Sequence, residues 1–420
     1  GKVKTQTKNT LLLLTLWSGA QSAARAQFAA KAEPPIYTVS AAGTILTGQD
    51  GWTNPISGSG DFGAYTYTGS PFGLPVSPFT NANGAFFGGI STTSFPFVRA
   101  QHSIDLITGT QWTLSYDMAV KFLGSTTLPP TAASVSLQPD TTATFSALSL
   151  WNGTVNSSKY SAAFRGFSAA NQPVILKPNG IFSNLNANQW YRVYITFDFA
   201  KNIVLSVGLL DFTTNTLDLR YPGLYLKGGI TGGNVLPDAL RLFVGGNETG
   251  GGAGNAAAWD NIDLRRAKET VITVSGQATI GDLSNPATRI LTLLFVPRDG
   301  TPRFHASAIL NTDRTFRASI TRKVDAVVWI KADTTLAKST PVNTTNGDVS
   351  GITTTLVNGD INNDNRVDID DLLLLIAVYN QRQGIGNYSE PADLNNDGSN
   401  DIFDLLILIR NYNQAGIAYP

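Results

Sequence analysis

The stretch DINNDNRVDIDD at residues 360–371 recurs as DLNNDGSNDIFD at residues 393–404, and this repeat decides how the C-terminal part of the chain folds. The copies start 33 residues apart, and each runs directly into an apolar segment. These segments, DIDDLLLLIAVYN at 368–380 and DIFDLLILIRNYN at 401–413, are identical at nine of thirteen positions. A single Asp/Asn-rich turn is common, whereas two loops with matching helices indicate a duplicated unit.

Each loop carries oxygen-bearing side chains at the spacing that a calcium ion requires. Ca²⁺ is a hard cation with about six to eight oxygen ligands, and a 12-residue loop can wrap around it. The tight bend needed at loop position 6 is supplied by Gly398 in the second loop and by Asn365, which tolerates left-handed geometry, in the first. The pattern therefore predicts two bound calcium ions. The candidate ligands at positions 1, 3, 5, 7, 9 and 12 are Asp360, Asn362, Asp364, Arg366, Asp368 and Asp371, then Asp393, Asn395, Asp397, Ser399, Asp401 and Asp404.

These residues resemble a type I dockerin, a calcium-binding module that attaches secreted proteins to scaffolds bearing cohesin domains. The resemblance covers residues 358–416 and implies a small α-helical module at 358–420 with a protein partner. Dockerins usually have small or hydroxyl residues at loop positions 10 and 11, where cohesin is recognised. Here those positions hold the candidate partner-binding residues Ile369, Asp370, Ile402 and Phe403. The partner therefore stays open between a cohesin-like domain, a second copy and this chain's own sandwich.

The two helices also predict an exposed apolar surface. Residues 372–379 are apolar on every side, and residues 405–409 nearly so. Two short helices bury only the faces that they turn toward each other. The remaining apolar side chains form a patch of the kind that usually marks a partner site.

Composition and charge exclude several classes of function. Charged residues make up only 14% of the 420, and the net charge is zero. Residues 358–420 carry ten acidic against three basic side chains, a charge of −7 that two divalent ions would largely offset. No basic stripe that would hold nucleic acid is found. Cysteine is absent, which excludes disulfides and thiolate chemistry.

The N-terminal residues 1–26 read as a secretory signal peptide. Lys2, Lys4 and Lys8 form a basic start, an apolar run follows at 11–17, and the sequence Ala-Arg-Ala closes it as a cleavage site. The apolar run is too short to span a bilayer. We therefore expect an extracellular protein, with a mature chain that begins near Gln27.

Residues 27–269 are expected to form a jelly-roll β-sandwich. Candidate strands recur every ten to fifteen residues between Gly/Asn/Pro-rich turns, among them residues 36–41 and 190–199. In the second of these, alternate residues from Tyr191 to Phe199 are apolar and fall on one face. Such a long all-β region is most simply a double-sheet jelly roll.

Two stretches of this region resemble concanavalin-like or laminin-G-like domains. They are NQWYRVYITFDFAKNIVLSVGLLD at 188–211 and AWDNIDLRR at 258–266. The resemblance implies glycan or surface-ligand binding in most members and glycoside hydrolysis in a few. Sugars stack on aromatic rings beside polar groups. Trp52, Phe86 and Phe87, in Gly/Asn-rich stretches, are therefore the candidate ligand-binding residues, with exposed rings.

The carboxylates of this region argue against hydrolysis. Glycosidases generally need two carboxylates flanking one bond, yet Glu248 is the only glutamate between residues 34 and 268 and the aspartates are scattered. A pair of aspartates brought together by folding stays open. His102, beside Ser103 and Asp105, is expected to be structural, since neighbours on a strand do not converge into a triad. We therefore expect no catalytic residues and no enzyme.

Residues 270–357 are expected to form a small Ig-like spacer sandwich. Three functions remain open for the chain as a whole. The first is a secreted, non-catalytic calcium-binding protein with a lectin-like head and a dockerin-like interaction module. The second is a structural subunit of an extracellular filament or surface layer, and the third is a glycoside hydrolase.

Overall fold

The fold is mainly β, as the sequence predicts. Of the residues that the structure describes, half lie in strands and 8% in helices, which confirms β-sandwich architecture with a small helical module. The predicted signal peptide at 1–26 and the cleavage site before Gln27 lie outside the described residues. So do Asp105 and Glu248. The computed structural model describes residues 28–80, 84–104, 111–122, 133–138, 147–153, 158–177, 180–230, 237–245, 254–267, 270–281, 283, 289–384 and 386–418.

The chain divides into two compact units, residues 1–219 with 224–269 and residues 220–223 with 270–420. In the described part of the first unit a short 3-10 turn at Gly180–Ser183 accompanies the strands. The last two residues of β16 belong to the second unit. The strands are β1 Phe28–Ala30, β2 Thr44–Ile45, β3 Trp52–Thr53, β4 Gly60–Asp61, β5 Gly63–Thr66, β6 Ala85–Ile90, β7 Phe97–Ser103, β8 Gln111–Phe122, β9 Ala133–Gln138, β10 Ala147–Gly153, β11 Lys159–Phe167, β12 Pro173–Leu176, β13 Leu185–Asn186, β14 Tyr191–Asp198, β15 Ile203–Asp211, β16 Thr216–Tyr221, β17 Ala239–Gly245 and β18 Asn255–Ala267.

Two sheets build the first unit. One has the order β2-β5-β6-β18-β8-β14-β15-β16, with β1 beside β18. The other has the order β12-β11-β10-β9-β17-β7-β3, with β13 beside β11 and β4 beside β7. The late strand β18 lies between β6 and β8, and β17 lies between β9 and β7. Each sheet therefore pairs strands that are distant in the sequence. This interleaving fits a jelly roll rather than a meander.

Local patterning explains one predicted strand and fails for another. In β14 the alternate residues Tyr191, Val193, Ile195 and Phe197 are all buried, as their period-two spacing predicts. Residues 36–41 form turns and a single bridge from Ser40 rather than a strand. The preceding Pro34 and Pro35 have no N–H for a strand ladder, which favours a turn here.

The second unit contains two smaller sheets and two helices. Its sheets have the orders β21-β20-β23-β24 and β22-β19-β25. The two short strands β26 and β27 form a separate pair among the loops. A 3-10 turn spans Glu390–Ala392. The elements are β19 Ile272–Ile280, β20 Ile290–Pro297, β21 Phe304–Ile309, β22 Thr315–Ile320, β23 Asp325–Ala332, β24 Lys338–Asn343, β25 Val349–Leu356, α1 Ile369–Ala377, β26 Gln381–Arg382, β27 Ser399–Asn400 and α2 Ile402–Arg410.

The helices of the second unit share a core with its sandwich. Leu375 of α1 and Leu408 of α2 are fully buried and pack in one cluster. Leu336, from the turn between β23 and β24, belongs to the same cluster, and its N–H donates to Val357 O at 2.8 Å. The helical module therefore completes its core with a residue from the sandwich that precedes it.

Candidate functional site

The first residue of each loop folds the loop around its own carboxylate. Asp360 accepts the N–H of Asp364 on Oδ1 and the N–H of Asn365 on Oδ2, both at 2.9 Å. The corresponding bonds of the second loop join Asp393 Oδ1 to Asp397 N at 3.0 Å and Asp393 Oδ2 to Gly398 N at 2.8 Å. Position 6 is left-handed in both loops, with φ of 73° at Asn365 and 88° at Gly398, as the bend requires.

The last residue of each loop ties the loop to its helix. Asp371 Oδ1 accepts the N–H groups of Ile361 and Asn362, and its Oδ2 accepts that of Asp368 at 2.8 Å. Asp368 is in turn the N-cap of α1 in a reciprocal capping box with Asp371. The second loop repeats these bonds with Asp404, Leu394, Asn395 and the N-cap Asp401 of α2. The duplicated sequence thus folds into duplicated geometry.

Each loop pairs with the chain that follows the helix of the other loop. After α1, β26 pairs antiparallel with β27, which joins Gln381 to Asn400 of the second loop. After α2, Ala415 forms an antiparallel bridge with Arg366 of the first loop. The two loop-and-helix repeats therefore form one cooperative module, in which neither loop is held by its own repeat alone.

The loops concentrate buried carboxylates. Asp360, Asp371, Asp393 and Asp404 are almost fully buried. Burial raises the pKa of the carboxyls of Asp360, Asp371 and Asp404 above its ordinary value, because it opposes the charged form. A divalent cation among the same oxygens would favour the charged form instead.

The donor set fits calcium in chemistry and in chain path. Across the described residues, no three His, Asp or Glu side chains already converge as a metal cluster. The loop carboxylates instead accept hydrogen bonds from main-chain N–H groups, which fix the position of each candidate ligand. Carboxylate and amide oxygens at positions 1, 3, 5, 9 and 12, around a left-handed position 6, are the donors that Ca²⁺ prefers.

The helices that follow the loops expose apolar side chains, as the sequence predicts. Among the exposed large apolar residues are Leu373 and Ile376 of α1 and Leu406 and Ile409 of α2. The four candidate partner-binding residues, Ile369, Asp370, Ile402 and Phe403, are exposed at the starts of these helices. An apolar surface of this kind is typical of a partner site.

The expectation that Trp52, Phe86 and Phe87 are exposed is wrong. Trp52 is 1% exposed, and both phenylalanines are completely buried. Phe87 packs against Trp52 and Tyr37, with ring centroids 5.6 and 5.1 Å away. Phe86 lies on the opposite side of β6, in a cluster with Tyr65, Tyr67, Phe72 and Trp190. Strand β6 is thus covered on both faces. Its sequence AFFGGI contains no polar side chain, and this was the signal in the sequence for a strand buried on both faces.

Folding does bring two aspartates together in the first unit, but not in a cleft. Asp117 of β8 lies opposite Asp260 of β18 in the sheet, and neither has any exposed surface. Arg192 Nη1 and Asn261 Nδ2 donate to Asp117 at 2.8 and 2.7 Å, while Thr80 Oγ1 donates to Asp260. Burial raises the pKa of Asp260 to about 6. With donors already on both carboxylates, this pair is built as a structural polar cluster.

His102 is held by main-chain oxygens. Its Nδ1 lies 2.6 Å from Ser103 O and its Nε2 lies 2.6 Å from Asp50 O. The ring packs against those of Phe28 and Trp52 at centroid distances of 4.6 and 5.3 Å. These contacts give the residue a structural role in anchoring the loop that contains Asp50.

The C-terminal module is the part of the chain for which a family is found. Residues 358–413 match the family of the dockerin type I domain. This match confirms the predicted type I dockerin-like module, and type I dockerin domains are in general calcium-binding. No curated protein matches the chain.

Solved structures that are similar to parts of the chain include a cohesin-dockerin complex, a carbohydrate esterase and a lectin. A type II cohesin-X-dockerin complex from Acetivibrio cellulolyticus is 21% identical, with a TM-score of 0.29, over 35% of this chain and 99% of that one. A carbohydrate esterase of the Shiga toxin-encoding bacteriophage phi24B is 11% identical, with a TM-score of 0.36, over 58% and 100%. The acidic lectin of winged bean, complexed with methyl-α-D-galactose, is 11% identical, with a TM-score of 0.26, over 49% and 98%. Among the helices of the described ranges, none has the length and apolar character needed to cross a bilayer.

Proposed function

We propose that the chain is a secreted, non-catalytic protein. Its calcium-loaded C-terminal module binds a cohesin-type partner and so attaches the β-sandwich head to that partner. A dockerin domain implies a cohesin-type partner, and proteins that contain one are typically extracellular. Two calcium ions would be held by the twelve candidate ligands of the loops at 360–371 and 393–404. The two ions would supply a charge of +4, which takes the −7 of the segment to about −3.

The observation that carries this proposal is a pair of equivalent apolar faces. Three positions of α1 and the three equivalent positions of α2 hold identical residues, each between 46% and 56% exposed. Two matching faces on a duplicated module offer a partner two equivalent ways of binding. The pairs are Ile369 and Ile402, Leu373 and Leu406, and Ile376 and Ile409.

Substitutions on these faces test the docking proposal. We expect Leu373→Asp or Leu406→Asp alone to weaken binding to a cohesin-type domain by only about twofold, because the other face remains. The double variant should lose at least about 100-fold, since each way of docking would then bury an unpaired charge. Surface plasmon resonance of the full chain over a panel of immobilised cohesin domains, with calcium, measures both.

The matched control is Gln383→Asp, an exposed change between the helices that should leave docking unchanged. Wild-type binding by the double variant would overturn the proposal. If the chain ignores every cohesin but sediments as growing oligomers that the double variant abolishes, the filament or surface-layer alternative replaces it.

A polar and aromatic sheet face in the first unit favours a carbohydrate ligand for the head. On β7 and β17 the Arg99 guanidinium lies over the neighbouring rings of Phe97 and Phe243, 5.0 and 5.1 Å from their centroids. Beside it, Arg241 Nε donates to Gln101 Oε1 at 2.8 Å. Rings next to planar hydrogen-bonding groups are what a sugar-binding surface combines.

This face replaces the buried rings as the candidate ligand surface. We expect Phe243→Ala to weaken binding to a recognised polysaccharide by about tenfold, through loss of a stacking ring. Affinity electrophoresis of the full chain in gels containing neutral or acidic polysaccharides measures the effect, with the exposed turn variant Lys201→Ala as control. Retardation that Phe243→Ala leaves unchanged, or none in any gel, contradicts this role.

A further inference from the structure

The two loops differ in what holds their first carboxylate. Lys331, in β23 of the sandwich, is almost fully buried, and its ammonium forms an ion pair with Asp360 Oδ2. The same Nζ donates to Thr335 O at 2.5 Å. Asp360 is position 1 of the first loop and has no exposed surface. An ammonium group from the sandwich strand β23 is therefore built into the first loop.

The equivalent atom of the second loop has a neutral partner. Asp393 Oδ2 accepts the hydroxyl of Tyr388 at 2.9 Å. Arg289 also approaches this loop, but its Nη2 donates to the main-chain oxygen of Asp393, at 3.1 Å, and not to the carboxylate. The bonds that the ligand side chains accept from N–H groups within the two loops correspond one to one. The charged partner of Asp360 therefore distinguishes the ligand carboxylates of the first loop from those of the second.

Further contacts from the sandwich fix the shape of the first loop. The N–H of Ala337 donates to Asn365 Oδ1 at 2.7 Å, and the N–H of Asp360 donates to Thr334 O at 3.0 Å. Asn365 Nδ2 donates in turn to Ile417 O at 2.9 Å. Asn at position 6 thus gives the left-handed bend and also a side chain that anchors the loop, which Gly398 in the second loop lacks.

We propose that Lys331 makes the two calcium sites unequal, so that the second loop takes calcium first and more tightly. A buried ammonium on a ligand carboxylate stabilises the first loop without the ion and repels an arriving cation, and burial weakens the screening of both effects. Within the described ranges the Asp393 carboxylate accepts a tyrosine hydroxyl and forms no ion pair, so no ammonium on this carboxylate opposes the ion. This inference rests on the proposed calcium-dependent function and adds an order of loading to it.

Chains with a single working loop test the order of loading. Asp364→Ala removes an exposed position-5 ligand of the first loop, and Asp397→Ala removes its exact counterpart in the second. Titration calorimetry of each full-length variant with CaCl₂ should give one site per chain. We expect the Asp397→Ala chain, with only the first loop, to bind about tenfold or more weakly than the Asp364→Ala chain. Equal affinities, or the reverse order, overturn the inference.

A second set of variants assigns the difference to Lys331. In the Asp397→Ala background, Lys331→Met should tighten calcium binding by about tenfold and lower the unfolding temperature in EDTA. In the Asp364→Ala background it should leave calcium affinity unchanged, as should the exposed Lys338→Met in either. Unchanged affinity in the first background contradicts the role of Lys331.

The result separates this inference from the proposed function. If Lys331→Met does not fold, the comparison of the two single-loop chains with intact Lys331 still decides the order. A wild-type chain that binds no calcium removes the proposed function and this inference together. Two sites of equal affinity, with docking intact, remove only the inference.

Discussion

Chelating calcium is expected to weaken docking of the chain to a cohesin-type partner by at least about 100-fold. The candidate ligands Asp371 and Asp404 close the loops and also belong to the capping boxes of α1 and α2, so loss of the ions is expected to disturb the helices that bear the docking faces. When the free calcium concentration is about 1,000 times the dissociation constant of a site, binding at that site stabilises the folded state by about 4 kcal/mol. Two such sites can contribute as much as the whole stability of a small domain.

Calorimetry of the full chain with calcium and with EDTA measures this stabilisation. The unfolding temperature of the second unit should fall when calcium is chelated. The first unit holds none of the twelve candidate ligands, so its unfolding temperature should not change and serves as an internal reference. Mg²⁺ at the same concentration should restore little, because it demands stricter octahedral geometry and dehydrates reluctantly. Undiminished docking in EDTA would contradict a calcium-dependent module.

The geometry of the two loops was predictable because the residues that determine it are local. Position 6, the capping residues and the ligand spacing all lie within twelve consecutive residues, and duplication provided an internal check. The left-handed conformations at Asn365 and Gly398 follow from residue type together with loop position. Local chemistry of this kind needs no knowledge of which distant segments meet.

Residues whose role depends on distant partners were not predictable in the same way. Phe86 and Phe87 follow a Gly/Asn-rich stretch, yet the rings of Tyr37 and Trp52 cover one face of their strand and those of Tyr67 and Phe72 cover the other. Lys331 reads as one basic residue in an alternating strand, and only the tertiary fold carries it to Asp360. The pairing of Asp117 with Asp260 spans 143 positions of the sequence and depends on β18 lying beside β8.

Replacing Leu408 by alanine is expected to destabilise the second unit by about 2 to 5 kcal/mol, the range for removing a large side chain from a core. Leu408 is fully buried in the cluster that contains Leu375 of α1 and Leu336 of the sandwich. Because residues of both helices and the sandwich line the same cluster, the site cannot collapse without moving several elements. The upper part of the range is therefore expected.

Leu406→Ala provides a matched control, since it is the same chemical change two residues away on the same helix. Leu406 is 55% exposed, so its truncation should cost less than about 0.5 kcal/mol. Leu375 and Leu373 form the equivalent pair on α1 and should repeat the contrast. Hydrogen exchange of peptides from residues 401–413 across a urea series, in calcium, reports the local stability directly. If Leu406→Ala cost as much as Leu408→Ala, the exposed face would be a core face, and the docking surface would have to be sought elsewhere on the module.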